Sequence, residues 1–287
     1  MTNVKRDLWL IIGGLTIVAL ELVLVVVIIL YNNLPKQAVQ APTVVPTTTV
    51  VTEPPTEPTT APTEPPIPLN GFKPEDFVMV DGFMTCTAAD YMVGIDVSSH
   101  QGSIDWKQVK EAGVQFVIIR LGYRGYGKEG NLVKDVCAQE YYRGAKEQGL
   151  LVGGYVFSQA LCEEEAIEEA EMALEVIADW ELDLPVAFDW EFLHVEARTD
   201  YMEEAGITEC ANAFCSTLMD AGVQPMLYTG LYVKTLRLEE VLGYPMWLAL
   251  YTDTMSYDYW LDFWQYSCTG KVPGINTDVD LNIYLPK

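Results

Sequence analysis

The chain has 287 residues, half of them hydrophobic, which is enough for one large domain with a sizeable core and additional segments. Lys and Arg number 17 against 41 Asp and Glu, and the resulting net charge of −24 argues against nucleic acid or anionic lipid as a partner, because phosphate binding requires basic patches. The composition favours a neutral or cationic ligand without identifying one.

An apolar run from residue 8 to residue 31 follows Lys5 and Arg6 near the N-terminus. The run exceeds the roughly 20 residues that a helix needs to span a bilayer. By the positive-inside rule, residues 1–7 are expected in the cytoplasm and the rest of the chain outside the cell. We therefore predict a single-pass signal anchor in the cell membrane. The alternative is a cleaved signal peptide, although such peptides have shorter apolar regions and residues 38–41 only loosely resemble a cleavage site.

Residues 32–68 are rich in Pro, Thr and Glu. A segment of this composition cannot bury a core, and its proline density favours a disordered linker with extended polyproline II character. At about 3.1 Å per residue the linker could reach roughly 100 Å, which is enough to carry a domain away from the membrane into a surrounding wall. Residues 69–87 form a lead-in segment of ambiguous structure.

Eight short apolar segments with the pattern of strands follow, at residues 92–97, 116–120, 151–157, 186–188, 225–228, 246–251, 262–266 and 279–283. Helical patterns occur at residues 106–112, 134–148, 163–179 and 208–221. Strands that alternate with helices indicate a parallel sheet, and eight strands indicate closure into a barrel. The prediction for residues 88–287 is therefore an α/β fold, an irregular (β/α) barrel with helices mainly after the first five strands. The many glutamates of the third helix are expected to form a solvated face.

The six cysteines contain no Cys-x-x-Cys pair, and with only two histidines in the chain no zinc-binding pattern is present. We therefore predict no metal and no cofactor. Buried, unpaired thiols are the favoured state of the cysteines, and one or more disulfides are the alternative. His100 and His194 are interpreted as loop residues.

Two carboxylates end the fourth predicted strand. Asp189 and Glu191 are separated by one residue, so in a strand they share a face, with Cα atoms roughly 6.5–7 Å apart. Active sites of α/β sheets and barrels lie at the carboxyl ends of strands. The pair therefore indicates an active site, or alternatively a strand that runs out into a solvated loop.

Other strands also end in polar residues, namely Asp96, Arg120, Tyr228, Gln265 and the nearby Asp280. In a barrel these side chains converge at one mouth. Carboxyl groups ringed by aromatic residues suit glycoside hydrolysis, in which a protonated carboxyl protonates the leaving oxygen and a second carboxylate stabilises the cationic transition state. Crowded acids raise one another's pKa, which helps one of them to stay protonated near neutral pH.

Several short motifs follow one another along the chain. They are Gly94-Ile95-Asp96-Val97-Ser98 with His100-Gln101-Gly102, then Gly122-Tyr123-Arg124-Gly125, Tyr155-Val156-Phe157-Ser158, Asp189-Trp190-Glu191, Trp264-Gln265-Tyr266 and Val279-Asp280-Leu281-Asn282. Together and in this order, they resemble the glycoside hydrolase family 25 lysozymes. The resemblance covers residues 91–284. It implies an N-acetylmuramidase on an irregular barrel, which cleaves the β-1,4 bond between N-acetylmuramic acid and N-acetylglucosamine in peptidoglycan.

The resemblance also implies roles for four acids. Glu191 matches the general acid, and Asp189 matches the partner that orients the substrate acetamido group or stabilises the developing cation. Asp96 and Asp280 match further acids of the pocket, although Asp280 could instead lock the last strand. Both substrate assistance by the acetamide and a water activated by a carboxylate stay open as mechanisms.

Further residues are candidates for substrate binding: Tyr123, Arg124, Tyr155, Tyr228, Trp264 and Gln265. The aromatic members could equally belong to the core. Arg120 and Arg124 could hold the muramic acid carboxylate or neutralise the acid cluster. The catalytic domain is expected to be monomeric. Two other functions stay open: a catalytically inactive module that binds wall glycan, and a hydrolase of another N-acetylated glycan such as chitin.

Overall fold

The computed structural model describes residues 68–193, 195–230, 236–237, 240–241 and 243–286. The predicted anchor at residues 8–31, nearly all of the predicted linker, and His194 lie outside the described residues. Among the helices of the described ranges, none has the length and apolar character needed to cross a bilayer.

The described part of the chain contains eleven strands: β1 (Phe77–Val80), β2 (Phe83–Cys86), β3 (Met92–Val97), β4 (Phe116–Arg124), β5 (Leu132–Lys134), β6 (Leu151–Ser158), β7 (Val186–Trp190), β8 (Pro225–Gly230), β9 (Met246–Ala249), β10 (Phe263–Gly270) and β11 (Val279–Tyr284). Eight of them close into a barrel in the order β3-β4-β6-β7-β8-β9-β10-β11, with β11 pairing back onto β3. Strand β11 is antiparallel to both of its neighbours, and the other pairs in the barrel are parallel. The predicted eight-stranded irregular barrel is confirmed.

Residues alternate along each strand between the barrel interior and the layer of helices outside. Close packing of the interior explains one glycine of β3. A Cβ atom at Gly94 would lie 2.3 Å from the ring of Phe116, its partner on β4, so only glycine leaves room for that ring. The ring of Phe116 in turn makes an edge contact with Phe263 of β10, with centroids 5.7 Å apart, and so fills the barrel beneath the mouth.

Four α-helices occur within the described ranges: α1 (Trp106–Glu111), α2 (Ala138–Glu147), α3 (Glu163–Val176) and α4 (Glu204–Asp220). Two of them begin at other residues than predicted. Helix α2 begins at Ala138 instead of residue 134, because β5 takes the preceding residues into a pairing with β4. Helix α4 begins at Glu204 instead of residue 208, and the hydroxyl of Thr208 donates to the Glu204 carbonyl at 2.7 Å inside the helix.

The lead-in segment forms an antiparallel hairpin of β1 and β2. Its turn consists of Asp81 and Gly82, both with positive φ, which suits a tight hairpin turn. The hairpin covers the outside of the barrel: the ring of Phe77 lies 5.2 Å from that of Trp264, and the Met84 amide donates to the hydroxyl of Tyr266 at 3.1 Å. The segment is therefore a packed part of the domain.

All six cysteines lie in the described part of the chain, and all are free thiols there. Three of them are buried, as predicted, namely Cys86, Cys210 and Cys215. The prediction of burial is wrong for Cys162 and Cys268, which are exposed.

Candidate active site

A cavity of about 190 Å³ opens at the carboxyl ends of the parallel barrel strands. Its lining brings together all four acids that the sequence singles out, and consists of Asp96, Val97, Ser98, His100, Gln101, Arg120, Tyr155, Phe157, Asp189, Glu191 and Asp280. The strand pattern explains this convergence, because each acid lies at or just beyond the mouth end of β3, β7 or β11.

Asp189 and Glu191 form the first pair of acids. Asp189 lies on β7, opposite Phe157 of β6 and Tyr228 of β8, and is only 5% exposed. Glu191 follows the strand and is less deeply buried. Burial raises the pKa of Asp189 well above its usual value, with repulsion from Glu191 as the next cause. Burial also raises the pKa of Glu191, against a hydrogen bond with Asp189 that lowers it. The two carboxyl groups can therefore share one proton.

Asp96 and Asp280 form the second pair, opposite each other on β3 and β11. Burial raises the pKa of Asp96 to about 6, against hydrogen bonds from Asn282, Gln265 and Asp280 that lower it. Burial raises the pKa of Asp280 to about 8, and the charge of Asp96 adds to this effect. The two amide donors favour the ionised form of Asp96, and the charge of Asp96 favours the protonated form of Asp280.

A network of side chains holds Asp96 from below. The side-chain amides of Gln265 and Asn282 each donate to Oδ2 of Asp96 at 2.8 Å. The Oε1 atom of Gln265 accepts from Tyr228 at 3.0 Å and from Tyr251 at 2.9 Å. Gln265 and Tyr228, which were predicted to bind substrate, are hydrogen-bonded to each other and, through Gln265, to Asp96, and their binding of substrate stays a prediction.

Arg120 is the cation in the cavity lining. Its guanidinium pairs with the buried Asp135 at 2.8 Å and donates to the Ser99 hydroxyl at 3.1 Å. It also lies over the ring of Tyr123, 5.2 Å from the centroid. Asp135 offsets the charge of Arg120. The one arginine in this lining is therefore already paired, and it compensates only partly for the four acids.

A second, larger cavity of about 620 Å³ adjoins the first and shares three of its residues. Its lining consists of Ser99, His100, Arg120, Tyr123, Arg124, Tyr126, Phe157, Leu193 and Val195. Tyr123 and Tyr126 give it aromatic faces of the kind that pack against sugar rings. The two cavities together form a polar end, which contains the acids, and a more apolar extension.

Two predicted substrate-binding residues have other surroundings than expected. Trp264 is fully buried outside the barrel, where its indole N–H donates to the Leu250 carbonyl at 2.8 Å, so it does not line either cavity. The guanidinium of Arg124 is 2.8 Å from Glu169 and 3.0 Å from Glu168 on α3. Arg124 lines the larger cavity, and its charge is paired with these two glutamates of α3 and not with the acids of the smaller cavity.

Sequence reasoning did not assign four residues that the structure brings to the site: His100, Asp135, Tyr251 and Asn282. His100 follows directly on the Asp96 strand, and Asn282 lies two residues from Asp280, so period-two spacing could have indicated Asn282. Asp135 and Tyr251 come from loops, whose side-chain directions no periodicity predicts. No group of three or more His, Cys, Asp or Glu in the described ranges has the geometry to hold a metal ion.

The chain matches the model of the family described as glycosyl hydrolases family 25 over residues 95–275. The chain belongs to this family. A curated relative, the autolytic lysozyme of Clostridium acetobutylicum, is 31% identical to this family 25 chain over 194 residues, which are 67% of the chain and 55% of the relative. The chain thus spans little more than half the length of that relative.

Solved structures share the family 25 fold. The modular autolysin LytC from Streptococcus pneumoniae has a TM-score of 0.59 and 25% identity, over 72% of this chain and 52% of that chain, and has also been solved in complex with a synthetic peptidoglycan ligand. A family 25 lysozyme from Aspergillus fumigatus has a TM-score of 0.55 and 25% identity, over 69% of this chain and 95% of that chain.

Proposed function

We propose that this protein hydrolyses the β-1,4 bond between N-acetylmuramic acid and N-acetylglucosamine in peptidoglycan. The observation that carries the proposal is the convergence of two carboxyl pairs in one cavity at the mouth of a family 25 barrel. Relatives described as an autolytic lysozyme and a modular autolysin support the choice of substrate.

Glu191 is the general acid in this proposal. Asp189 is nearly inaccessible to solvent, whereas Glu191 is more open, so the proton that the pair shares can reach a glycosidic oxygen through Glu191. Their raised pKa values favour a protonated carboxyl at neutral pH, which is what a general acid requires.

The other three acids orient the substrate, stabilise its developing charge and limit repulsion within the cavity. Asp189 orients the acetamido group of the sugar at the scissile bond. Asp96, ionised near neutral pH, lies where a carboxylate can stabilise the positive charge that develops on the sugar ring. Asp280 keeps its proton and thereby limits the repulsion among the four acids.

The proposal predicts that Glu191→Gln lowers the rate of peptidoglycan hydrolysis at least about 100-fold, because the amide keeps the shape of the side chain but has no proton to give to the leaving oxygen. The rate is measured as the loss of turbidity of purified cell walls. The control is Glu175→Gln on α3, whose carboxylate is largely exposed and pairs only with Lys134 in the described part of the chain.

Equal rates for Glu191→Gln and the unaltered protein would remove Glu191 from the role of acid. Binding of walls without any hydrolysis by the unaltered protein would favour the alternative of a module that only binds glycan.

We also propose that residues 8–31 anchor the protein in the cell membrane and that residues 32–68 tether the barrel outside the cell, within reach of the wall. The length of the apolar run and the proline content of the tether support this arrangement.

A further inference from the structure

Trp247 lies beneath the acids, in the interior of the barrel. It belongs to β9, is 1% exposed, and its indole Nε1–H donates to Oδ1 of Asn282 at 2.8 Å. An indole nitrogen can donate a hydrogen bond but cannot accept one, so this contact requires the oxygen of the Asn282 amide and not its nitrogen. Trp247 therefore fixes which end of Asn282 faces the cavity.

The fixed orientation has a consequence for Asp96. With Oδ1 of Asn282 turned towards Trp247, Nδ2 must face Oδ2 of Asp96, to which it donates at 2.8 Å. The same Oδ2 receives a second N–H from Gln265 at 2.8 Å. Two N–H donors on one carboxylate oxygen favour the charged form of the carboxyl group.

We propose that Trp247, acting through Asn282, is a positioning residue that keeps Asp96 an ionised hydrogen-bond acceptor in the active site. The importance of an ionised Asp96 for turnover rests on the proposed function. The hydrogen-bond relay itself stands on the geometry of the barrel interior alone.

The surroundings of Asp96 show why such a relay is needed. The titratable groups that share its cavity are Asp280 on β11, Asp189 and Glu191 at the end of β7, Tyr155 on β6, Arg120 on β4 and His100 after β3. Asp189 and Glu191 repel a charge on Asp96, whereas the hydrogen bond with Asp280 favours it. Arg120, the nearest cation of the lining, is paired with Asp135. The amides of Asn282 and Gln265, together with the carboxyl group of Asp280, are therefore the groups that directly stabilise a carboxylate at this position.

Trp247→Phe tests the relay because it removes the indole N–H and keeps an aromatic ring. The Asn282 amide is then free to turn its oxygen towards Asp96, which removes one donor and adds a repulsive dipole. We expect the acidic limb of the profile of kcat/KM against pH to move upwards by about one pH unit, with little change on the alkaline side.

Trp180→Phe is the matched control. Its indole also donates to a side-chain amide oxygen, that of Gln139, at 2.9 Å, and its ring is also largely buried, but it lies outside both cavities of the site. This variant loses a similar hydrogen bond, so it is expected to lower the melting temperature and to leave the acidic limb in place. If the acidic limb of kcat/KM against pH lies at the same pH in Trp247→Phe and in Trp180→Phe, the proposal is overturned.

A second readout does not require catalysis. The pKa of Asp96 in the folded protein, about 6, lies above the ordinary value of 3.8 for an aspartate, so its contribution to stability is present at low pH and is lost as pH rises through the folded pKa. In Trp247→Phe the folded pKa rises further, and the loss extends to higher pH. The melting temperature of the full chain in detergent, measured from pH 5 to pH 8, should therefore fall increasingly below that of the unaltered protein.

The control should differ from the unaltered protein by a constant amount across the same range. If Trp247→Phe shows the same constant difference, Trp247 has only a structural role. If the unaltered protein hydrolyses no glycan but the melting temperatures diverge with pH, the relay stands and the proposed function fails.

A second variant covers the case in which Trp247→Phe does not fold. The double change Tyr228→Phe and Tyr251→Phe keeps both rings and removes both hydroxyl donors to Oε1 of Gln265. Gln265 is then free to turn, and the melting temperature should diverge with pH in the same direction. If the melting temperature of this double variant differs from that of the unaltered protein by the same amount at every pH, the amides do not hold Asp96 ionised.

Discussion

The carboxyl groups of the candidate active site are of two kinds, and the difference arises from their neighbours. Asp96 accepts two amide N–H groups, which favour its charge, whereas an oxygen of Asp189 is buried without any hydrogen-bond partner among the described residues. An unsatisfied buried oxygen disfavours a charge on its own carboxyl group. The cavity therefore holds an ionised acid on one side and a proton-sharing pair on the other, as a glycosidase needs.

The spacing of these acids follows from the strand alone. Asp189 and Glu191 point the same way because side chains alternate along β7, and the intervening Trp190 points outwards and is 2% exposed. A change of one residue in the spacing would move one acid into the outer layer of the barrel. The proposed function thus depends on a period of two at the end of one strand.

At the scale of elements, a buried ion cluster joins the end of β4 to α3. Arg124 is 4% exposed and lies 2.8 Å from Glu169, which has no exposed surface. Its guanidinium also donates to the carbonyl groups of Gly130 at 3.1 Å and Glu165 at 2.8 Å. Burial raises the pKa of Glu169 to about 7, against hydrogen bonds from Ser158 and Arg124 and the charge of Arg124, all of which lower it, so Arg124 is the cation that compensates for a costly buried acid.

We predict that Arg124→Met lowers the free energy of unfolding by about 3–5 kcal/mol, because it leaves Glu169 buried without its cation. The control is Lys134→Met, which breaks the 2.7 Å pair with Glu175 on the same helix. Both partners of that pair are more than half exposed, so the loss should be below about 1 kcal/mol. Chemical denaturation monitored by tryptophan fluorescence measures both values, and equal losses would contradict the importance of the buried cluster.

This cluster shows where sequence reasoning stopped. The acidic pattern of α3 predicted a solvated face, and that prediction is wrong for Glu169, because its partner Arg124 lies 45 residues earlier in the chain. A pattern along one helix carries no information about a cation on another element. The same limit applies to Asp135 as the partner of Arg120.

The eight barrel strands and the four acids could be predicted, since both follow from local periodicity and from the shared mouth of a parallel barrel. For Trp264 and Gln265, which are neighbours in β10, the alternation of side chains along a strand argues against the prediction that both bind substrate. Neighbouring residues of a strand face opposite sides, so only one of the two can line the cavity, and in β10 it is Gln265 that points inwards to Asp96. The hairpin of β1 and β2 could have been predicted from Asp81-Gly82 between two apolar segments, whereas its packing against Trp264 and Tyr266 could not, because those residues lie far along the chain.

At the scale of the whole molecule, the proposed anchor predicts where the chain is found in a cell. The full-length protein should stay with the membrane fraction after washing with alkaline carbonate, because a spanning apolar helix is not released by charge or pH. Protease added to intact cells stripped of their wall should degrade the barrel. Recovery from the medium of a shorter chain that lacks the apolar run would instead show a cleaved signal peptide.

The four converging acids are proposed to hydrolyse one particular bond of peptidoglycan. The new reducing ends that form when the protein digests purified peptidoglycan identify that bond, once they are reduced with borohydride and analysed by mass spectrometry. We predict reduced N-acetylmuramic acid, recognised by the mass of its lactyl group, in the unaltered protein and almost none in Glu191→Gln. Reduced N-acetylglucosamine as the new end, or no new ends at all, would contradict the account.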